Sequence, residues 1–207
     1  MDVSKPYSVI SSPLDVEALL VLRRTTRPLT GRDVARLANR GSPAGIRKAL
    51  ARLTSHGIIR AEDAGRAILY TLNRDHLAVP ALEVLANMRT EFERRLSAEI
   101  GSWSLQPDHA SLFGSATRAD GNTTSDIDLF IVRPAGVEEN DPVWREQLSR
   151  LADDTFSWTG NHLAVSEVDL GELRRLRRER PSIVEDLLDT ALTLAGRDVQ
   201  HVLGGRQ

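Results

Sequence analysis

The chain has no cysteine, which excludes disulfides and thiolate zinc sites and leaves oxygen or histidine as the only routes to a bound metal. Its five histidines, His56, His76, His109, His162 and His201, are scattered without ligand spacing, so none is assigned a role. No apolar run approaches the roughly 20 residues that cross a bilayer, and no charged-then-apolar leader opens the sequence. These absences predict a soluble, cytoplasmic protein with no membrane partner. Strong net charge is missing as well, at −2 overall, but the sum hides an asymmetry. Residues 13–75 carry 12 Lys/Arg against 6 Asp/Glu, whereas residues 76–207 carry 14 against 22. A basic front and an acidic back suggest that the front meets a polyanion. With 41% hydrophobic residues over 207 positions, two small domains can each bury a core.

The most informative stretch is Ser111 to Val132, SLFGSATRADGNTTSDIDLFIV. Ala110 to Phe113 reads as a short buried strand broken by Gly114-Ser115, where the backbone can approach an anion and a hydroxyl can donate to it. Asp126 to Val132 alternates acid and apolar residues before becoming continuously apolar, as a central strand does. Side chains two apart on a strand share a face, so Asp126 and Asp128 converge. Two carboxylates there repel unless a cation joins them, and Mg²⁺ takes one or two carboxylates together with substrate phosphates.

Gly114-Ser115, Arg118 and Ser125-Asp126-Ile127-Asp128-Leu129 together resemble the signature of the nucleotidyltransferase superfamily of the DNA polymerase beta type, and most closely its minimal nucleotidyltransferases. The glycine usual after the arginine is Ala119 here, with Gly121 two places later. The resemblance implies an NTP substrate with Mg²⁺ or Mn²⁺. Asp126 and Asp128 would be both metal ligands and catalytic residues, with Gly114, Ser115, Arg118 and Ser125 at the nucleotide. It also implies a third carboxylate on a following strand, His162 to Val168, to act as base or metal ligand. Ala164 falls at that position. Glu167 is the nearest acid and is the tentative third catalytic residue, although period-two alternation points it to the opposite face unless a bulge intervenes; Asp169 sits at the strand's end.

The front of the chain reads as helices followed by a hairpin. Leu14, Val16, Leu19, Leu20 and Leu22 recur at helical spacing up to Arg27-Pro28. Thr30 caps a second helix with Gly41 as its stop; Ser42 caps a third, with Pro43 at its first position and Ile46, Leu50 and Leu53 as its buried stripe. Two strands flank Glu62 to Arg66. This order, and the run LTGRDVARLANRGSPAGIRKALARLTSHGIIR, resembles a winged helix-turn-helix of the MarR/ArsR regulator type. In that fold the third helix enters the major groove. The resemblance implies duplex DNA as partner, with Ser42, Ala44, Arg47, Lys48 and Arg52 facing outward from the third helix and Arg66 at the wing tip.

Leu77 to Ile100 reads as one long amphipathic segment, a linker whose apolar stripe could also pair two copies into a homodimer. Asp141-Pro142 opens a helix carrying Trp144, Leu148, Leu151 and Phe156. Gly171 to Gly196 reads as two helices broken at Pro181, with Leu192 and Leu194 inward. Arg174, Arg175, Arg177, Arg178 and Arg180 read as a solvated face paired with Glu172 and Glu179, or as a cradle for triphosphate or nucleic acid. The expected architecture is α+β: a winged helix-turn-helix over 1–76, a helical linker over 77–106, and a small mixed-sheet nucleotidyltransferase fold over 107–207. Two functions follow. One is Mg²⁺-dependent transfer of a nucleoside monophosphate to a hydroxyl of RNA, a small molecule or a protein acceptor such as a toxin partner. The other is a transcription regulator whose nucleotidyltransferase-like half senses nucleotide or mediates assembly without catalysis.

Overall fold

The computed structural model describes residues 13–38, 41–118 and 125–204, and the chain divides into two compact units between Met88 and Arg89. The first contains helix α1 (Pro13–Arg23), strand β1 (Leu29–Thr30), helices α2 (Gly31–Leu37) and α3 (Pro43–Ser55), strands β2 (Ile59–Asp63) and β3 (Ile68–Leu72), and helix α4 (Val79–Ala86). Local chemistry sets the helix ends. Thr30 Oγ1 accepts from the Asp33 N–H at 3.2 Å to start α2, and Ser42 Oγ accepts from the Gly45 N–H at 3.1 Å, ahead of Pro43, to start α3. The expected stop at Gly41 is corrected: α2 closes earlier, where the Ala38 N–H returns to the Val34 carbonyl at 2.9 Å. Gly41 has a different duty. It sits at φ +105°, and a Cβ there would come within 2.5 Å of Leu14 Cδ2, so only glycine lets this connection pass over α1.

Val34, Ile46, Leu50 and Leu53 meet Leu22 and Ile59 in one core, each full burial worth about 1.5–3 kcal/mol. β2 and β3 pair antiparallel from Ile59↔Leu72 to Asp63↔Ile68, around a turn closed by the Ala64 N–H on the Ala67 carbonyl at 2.8 Å. β1 adds a third strand through Leu29↔Tyr70, in the order β1-β3-β2. A strand of two residues carries no periodicity, so it was not legible beforehand.

The single long segment expected from Leu77 to Ile100 is two helices, α4 and α5 (Met88–Gly101). The Asn87 N–H folds back to the Glu83 and Val84 carbonyls at 3.2 and 3.1 Å and ends α4. The apolar stripe is shared out as well: Leu82 joins the first unit's core, while Phe92, Leu96 and Ile100 join the second's.

The second unit continues with strand β4 (His109–Phe113), helix α6 (Ser115–Arg118), strand β5 (Ile127–Val132), helix α7 (Pro142–Thr159), strand β6 (Leu163–Val168), helices α8 (Leu170–Glu179) and α9 (Ser182–Thr190), strand β7 (Leu192–Gly196) and helix α10 (Val199–Leu203). The sheet order is β6-β5-β4-β7, with β5 and β6 parallel and the other pairs antiparallel. β7 corrects the expected helix over 192–196. The Ala191 N–H closes α9 on the Leu187 carbonyl at 3.0 Å, and Leu192-Thr193-Leu194-Ala195 then pairs with β4, leaving Leu192 exposed at the edge.

β4 and β5 are covered on both faces and are mostly apolar, with His109 and Ser111 on β4 and Asp128 on β5 as the polar exceptions. One face carries Ala110, Leu112, Ile127, Leu129 and Ile131 against α5 and α7, with Trp103 and Trp144 edge to face at 5.5 Å. The other carries Phe113, Phe130 and Val132 against Leu173, Val184, Leu187 and Val202 of α8, α9 and α10. His109 lies on that second face with no solvent exposure. Its Nδ1 meets the Arg197 carbonyl at 2.6 Å and its Nε2 meets Ser111 Oγ at 2.9 Å. The carbonyl can only accept, so the neutral ring donates from Nδ1 and accepts the Ser111 proton at Nε2. Burial pushes its pKa down. Helix α7 is bounded by the Asp141 carboxylate, which accepts from the Val143 and Trp144 N–H groups at 2.9 and 3.0 Å, and by left-handed Gly160 at φ +73°. Phe156 is 49% exposed and stacks on His162 at 5.0 Å.

Candidate functional site

The site is built where β4 ends. Gly114 has φ +69°, and a Cβ placed there would collide with Asp128 Oδ2 and lie 3.2 Å from Asp128 Cγ. A glycine is therefore needed twice over, for the left-handed backbone and for the carboxylate that lies against its Cα. The Gly114 carbonyl is engaged by Thr117, whose N–H and Oγ1 donate at 3.2 and 2.9 Å, which turns the chain directly into α6 with half-buried Ser115 at its start. Asp128 stands opposite Phe113 of β4. Asp126 lies just before β5 and is exposed, while Ile127 between the two aspartates is fully buried. Half-buried Ser125 and Ile127 pin this approach to the far end of α7: Asn161 Nδ2 donates to the Ser125 carbonyl at 2.8 Å, and the Ile127 N–H donates to the His162 carbonyl at 2.9 Å. Asn161 is itself held, its N–H donating to Thr159 Oγ1 at 3.0 Å, and it is only 4% exposed. Sequence reading missed this positioning residue; its one signal was an asparagine after the helix-ending Gly160.

The parallel register of β5 and β6 has no bulge and sets Asp128 beside Ala164. Glu167 stands beside Ile131 and therefore points to the opposite face of the sheet. This corrects its tentative catalytic assignment. Its carboxylate is taken by Arg133 Nη1, by the Trp144 indole N–H at 3.0 Å and by Arg145 at 3.5 Å. Asp169 is engaged too, as the N-cap of α8 in a reciprocal capping box with Glu172. The Glu172 backbone N–H holds the Asp169 carboxyl below the usual range, helped by Gly171, Arg133 and Arg174. Neither acid joins Asp128.

Residues 93–193 match the family model for a nucleotidyltransferase domain. That span contains β4, the Gly114 turn, both aspartates and β6. No curated protein matches the chain. Among solved structures, a toxin–antitoxin complex with AMP-PNP is similar at 15% identity and a TM-score of 0.37, over 54% of this chain and 81% of that one. A mutant of the toxin–antitoxin MntA-HpeT is similar at 13% identity and a TM-score of 0.37, over 54% and 80%. Among the described residues, no cluster of three or more acidic or histidine side chains that could hold a metal ion is found. Asp128 against Gly114, with exposed Asp126 two residues before it, supplies the oxygen donors that a hard divalent ion completed by substrate phosphates takes. The Arg118 side chain and residues 119–124 lie outside the described residues.

In the first unit, Ser42, Ala44, Arg47, Lys48 and Arg52 are exposed along α3, and Arg66 is exposed in the β2–β3 turn. Two need revision. The Ser42 hydroxyl is occupied as the α3 cap. Arg52 makes a two-point ion pair with Asp15 of α1, Nε to Oδ2 at 3.0 Å, so it ties the helices together rather than standing free for a ligand. Arg47 and Arg66 instead line an open groove of about 860 Å³ with Arg32 and Arg36 of α2. Among the described residues Arg32, Arg47 and Arg66 form no ion pair, and Arg36 pairs with Asp33 at 3.0 Å. Sequence reading passed over Arg32 and Arg36; their i, i+4 spacing on α2 was the available signal.

Proposed function

We propose that the second unit transfers a nucleoside monophosphate from an NTP to an acceptor hydroxyl, releasing pyrophosphate, and that the first unit is a winged helix-turn-helix that binds duplex DNA. The observation that carries the first half is the apposition of Gly114 and Asp128 at the end of β4. Asp126 and Asp128 would hold Mg²⁺ or Mn²⁺, which when bound neutralises phosphate charge and polarises the phosphoryl oxygens. Gly114 lets phosphates approach the backbone, Ser115 donates a hydroxyl, and Arg118 and Ser125 complete the nucleotide contacts that the family pattern implies.

Ala164 beside Asp128 means that β6 places no carboxylate base next to Asp128 among the described residues. General-base assistance is worth about 10²- to 10⁴-fold, roughly 3–5 kcal/mol, so transfer proceeds slowly. The same alanine favours a second reading, in which the unit binds nucleotide as a sensor without transfer. Incubation with α-labelled NTPs, Mg²⁺ and a cell lysate separates the two. Label on an acceptor, lost in Asp128→Asn, supports transfer; label on no acceptor despite measurable Mg²⁺-NTP binding supports the sensor.

The DNA reading is supported by the order α1-β1-α2-α3-β2-β3, the three-stranded sheet and the arginine-lined groove. Full-length protein should bind duplex DNA with affinity that falls steeply with salt. Arg47→Gln and Lys48→Gln should each reduce the slope of log Kobs against log[salt] by about 0.9, and Arg52→Gln should leave it unchanged. Binding indifferent to salt, in a gel-shift titration, would remove this half of the proposal.

A further inference from the structure

The arginine cluster of α8 is not the neutralised surface that its sequence suggests. Arg174, Arg175, Arg177, Arg178 and Arg180 are all exposed, and the two glutamates expected to pair with them do little. Glu172 spends its carboxylate on the Asp169 N–H at 3.0 Å, and Glu179 reaches only Arg178, at 3.7 Å. Arg174 is near enough to Asp169 to lower its pKa, but among the described residues Arg174, Arg175, Arg177 and Arg180 form no ion pair. Arg174/Arg178 and Arg175/Arg178 stand four and three residues apart on one helical face, where like charges repel. A solvated face normally alternates its charges; this one concentrates a single sign in a unit whose remaining balance is acidic. The basic residues are all arginines, whose planar forks match phosphate oxygens two at a time.

The position of α8 links this face to the site. Asp128 and Phe130 are two apart on β5 and so point to the same face of the sheet. Phe130 packs in the core that α8 covers with Leu170, Leu173 and Leu176. The helix is thus laid on the face toward which Asp128 points, with its arginines outward.

We infer that the α8 arginines dock the phosphate backbone of an RNA acceptor. This rests on the nucleotidyl-transfer reading and names its acceptor class. RNA supplies both what the arginines bind, a run of phosphates, and what transfer needs, a free terminal hydroxyl. That hydroxyl oxygen bonds the α-phosphorus of the NTP, the bond from that phosphorus to the pyrophosphate oxygen breaks, pyrophosphate leaves, and the hydroxyl proton passes to water, since Ala164 offers no base. With no aromatic residue on α8 to stack bases, recognition is of backbone and tolerant of sequence.

The test uses full-length protein and a labelled single-stranded RNA of about 20 nucleotides, without NTP, titrated with salt. Wild type should bind, and Arg174→Gln/Arg175→Gln/Arg178→Gln should lower the slope of log Kobs against log[salt] by about two, from about 0.7 per phosphate contact on a single strand. Arg47→Gln/Lys48→Gln should weaken duplex DNA binding and leave RNA binding intact. RNA binding that is absent, unchanged in the triple variant, or lost only with the Arg47/Lys48 change overturns the inference. Displacement of RNA by polyglutamate at equal charge overturns it in favour of an acidic protein. Failure of wild type to bind Mg²⁺-NTP would instead sink the transfer reading, with the RNA titration still able to decide the role of α8.

Discussion

Glu167→Ala should destabilise the second unit by about 3–5 kcal/mol, the cost of stripping the partner from a buried charge. Arg133 is 9% exposed and its guanidinium is paired with the Glu167 carboxylate, which also receives the Trp144 indole N–H at 3.0 Å. Alanine leaves both donors without an acceptor and opens a void beside Trp144, which has no solvent exposure. Trp103, Trp144 and Trp158 all lie in this unit, so urea unfolding followed by tryptophan fluorescence reports on it alone. The midpoint should fall with little change in slope. Glu167→Gln, which keeps an acceptor oxygen but not the charge, should lose less. Mg²⁺-NTP binding should survive in both, because β6 turns Glu167 away from Asp128. An unchanged midpoint together with lost nucleotide binding would return Glu167 to the site.

Mg²⁺ with NTP should stabilise the same unit, and Asp128→Asn should abolish the effect. A ligand that binds only the native state adds RT ln(1 + [L]/Kd), about 2.7 kcal/mol at a hundredfold excess, or roughly 5–10 °C in melting temperature for a chain of this size. Asp128→Asn keeps the side-chain shape and removes the charge that a divalent ion requires. Gly114→Ala should also abolish the shift, by a different route: its Cβ would strike the Asp128 carboxylate and its backbone would be strained at φ +69°. The alanine variant should therefore lower stability without ligand as well. Identical thermal-shift curves with and without Mg²⁺-NTP in wild type would leave Gly114 and Asp128 a structural contact only.

What could be read beforehand was whatever chemistry acts over a few residues. Thr30 with Asp33, Ser42 with Gly45 and Pro43, and Asp141 with Trp144 are caps whose partners lie within three positions, so their helix starts were visible in the sequence. The alternation from Asp126 into a buried strand is equally local. The aspartate pair and the Gly-Ser turn stood out as a candidate site because their residue types and spacing match a pattern suited to phosphate chemistry.

What lay beyond the sequence depends on which distant segments meet. Arg52 looks outward on a helical wheel, yet Asp15, 37 residues away, claims it. Leu192 to Gly196 carries apolar residues compatible with a helix; pairing with β4 makes it a strand, since an open edge of a central β4 leaves backbone groups that need partners. Leu77 to Ile100 shows a single apolar stripe, but two separate cores bury its halves. Glu167 was the nearest acid to the expected third carboxylate. Only an unbroken β5–β6 register, with Arg133 and Trp144 waiting on the far face, assigns it to the scaffold and leaves Ala164 beside Asp128. Strand parity follows from the chain, whereas the absence of a bulge follows from hydrogen bonds between strands more than thirty residues apart, and those exist only in the folded sheet.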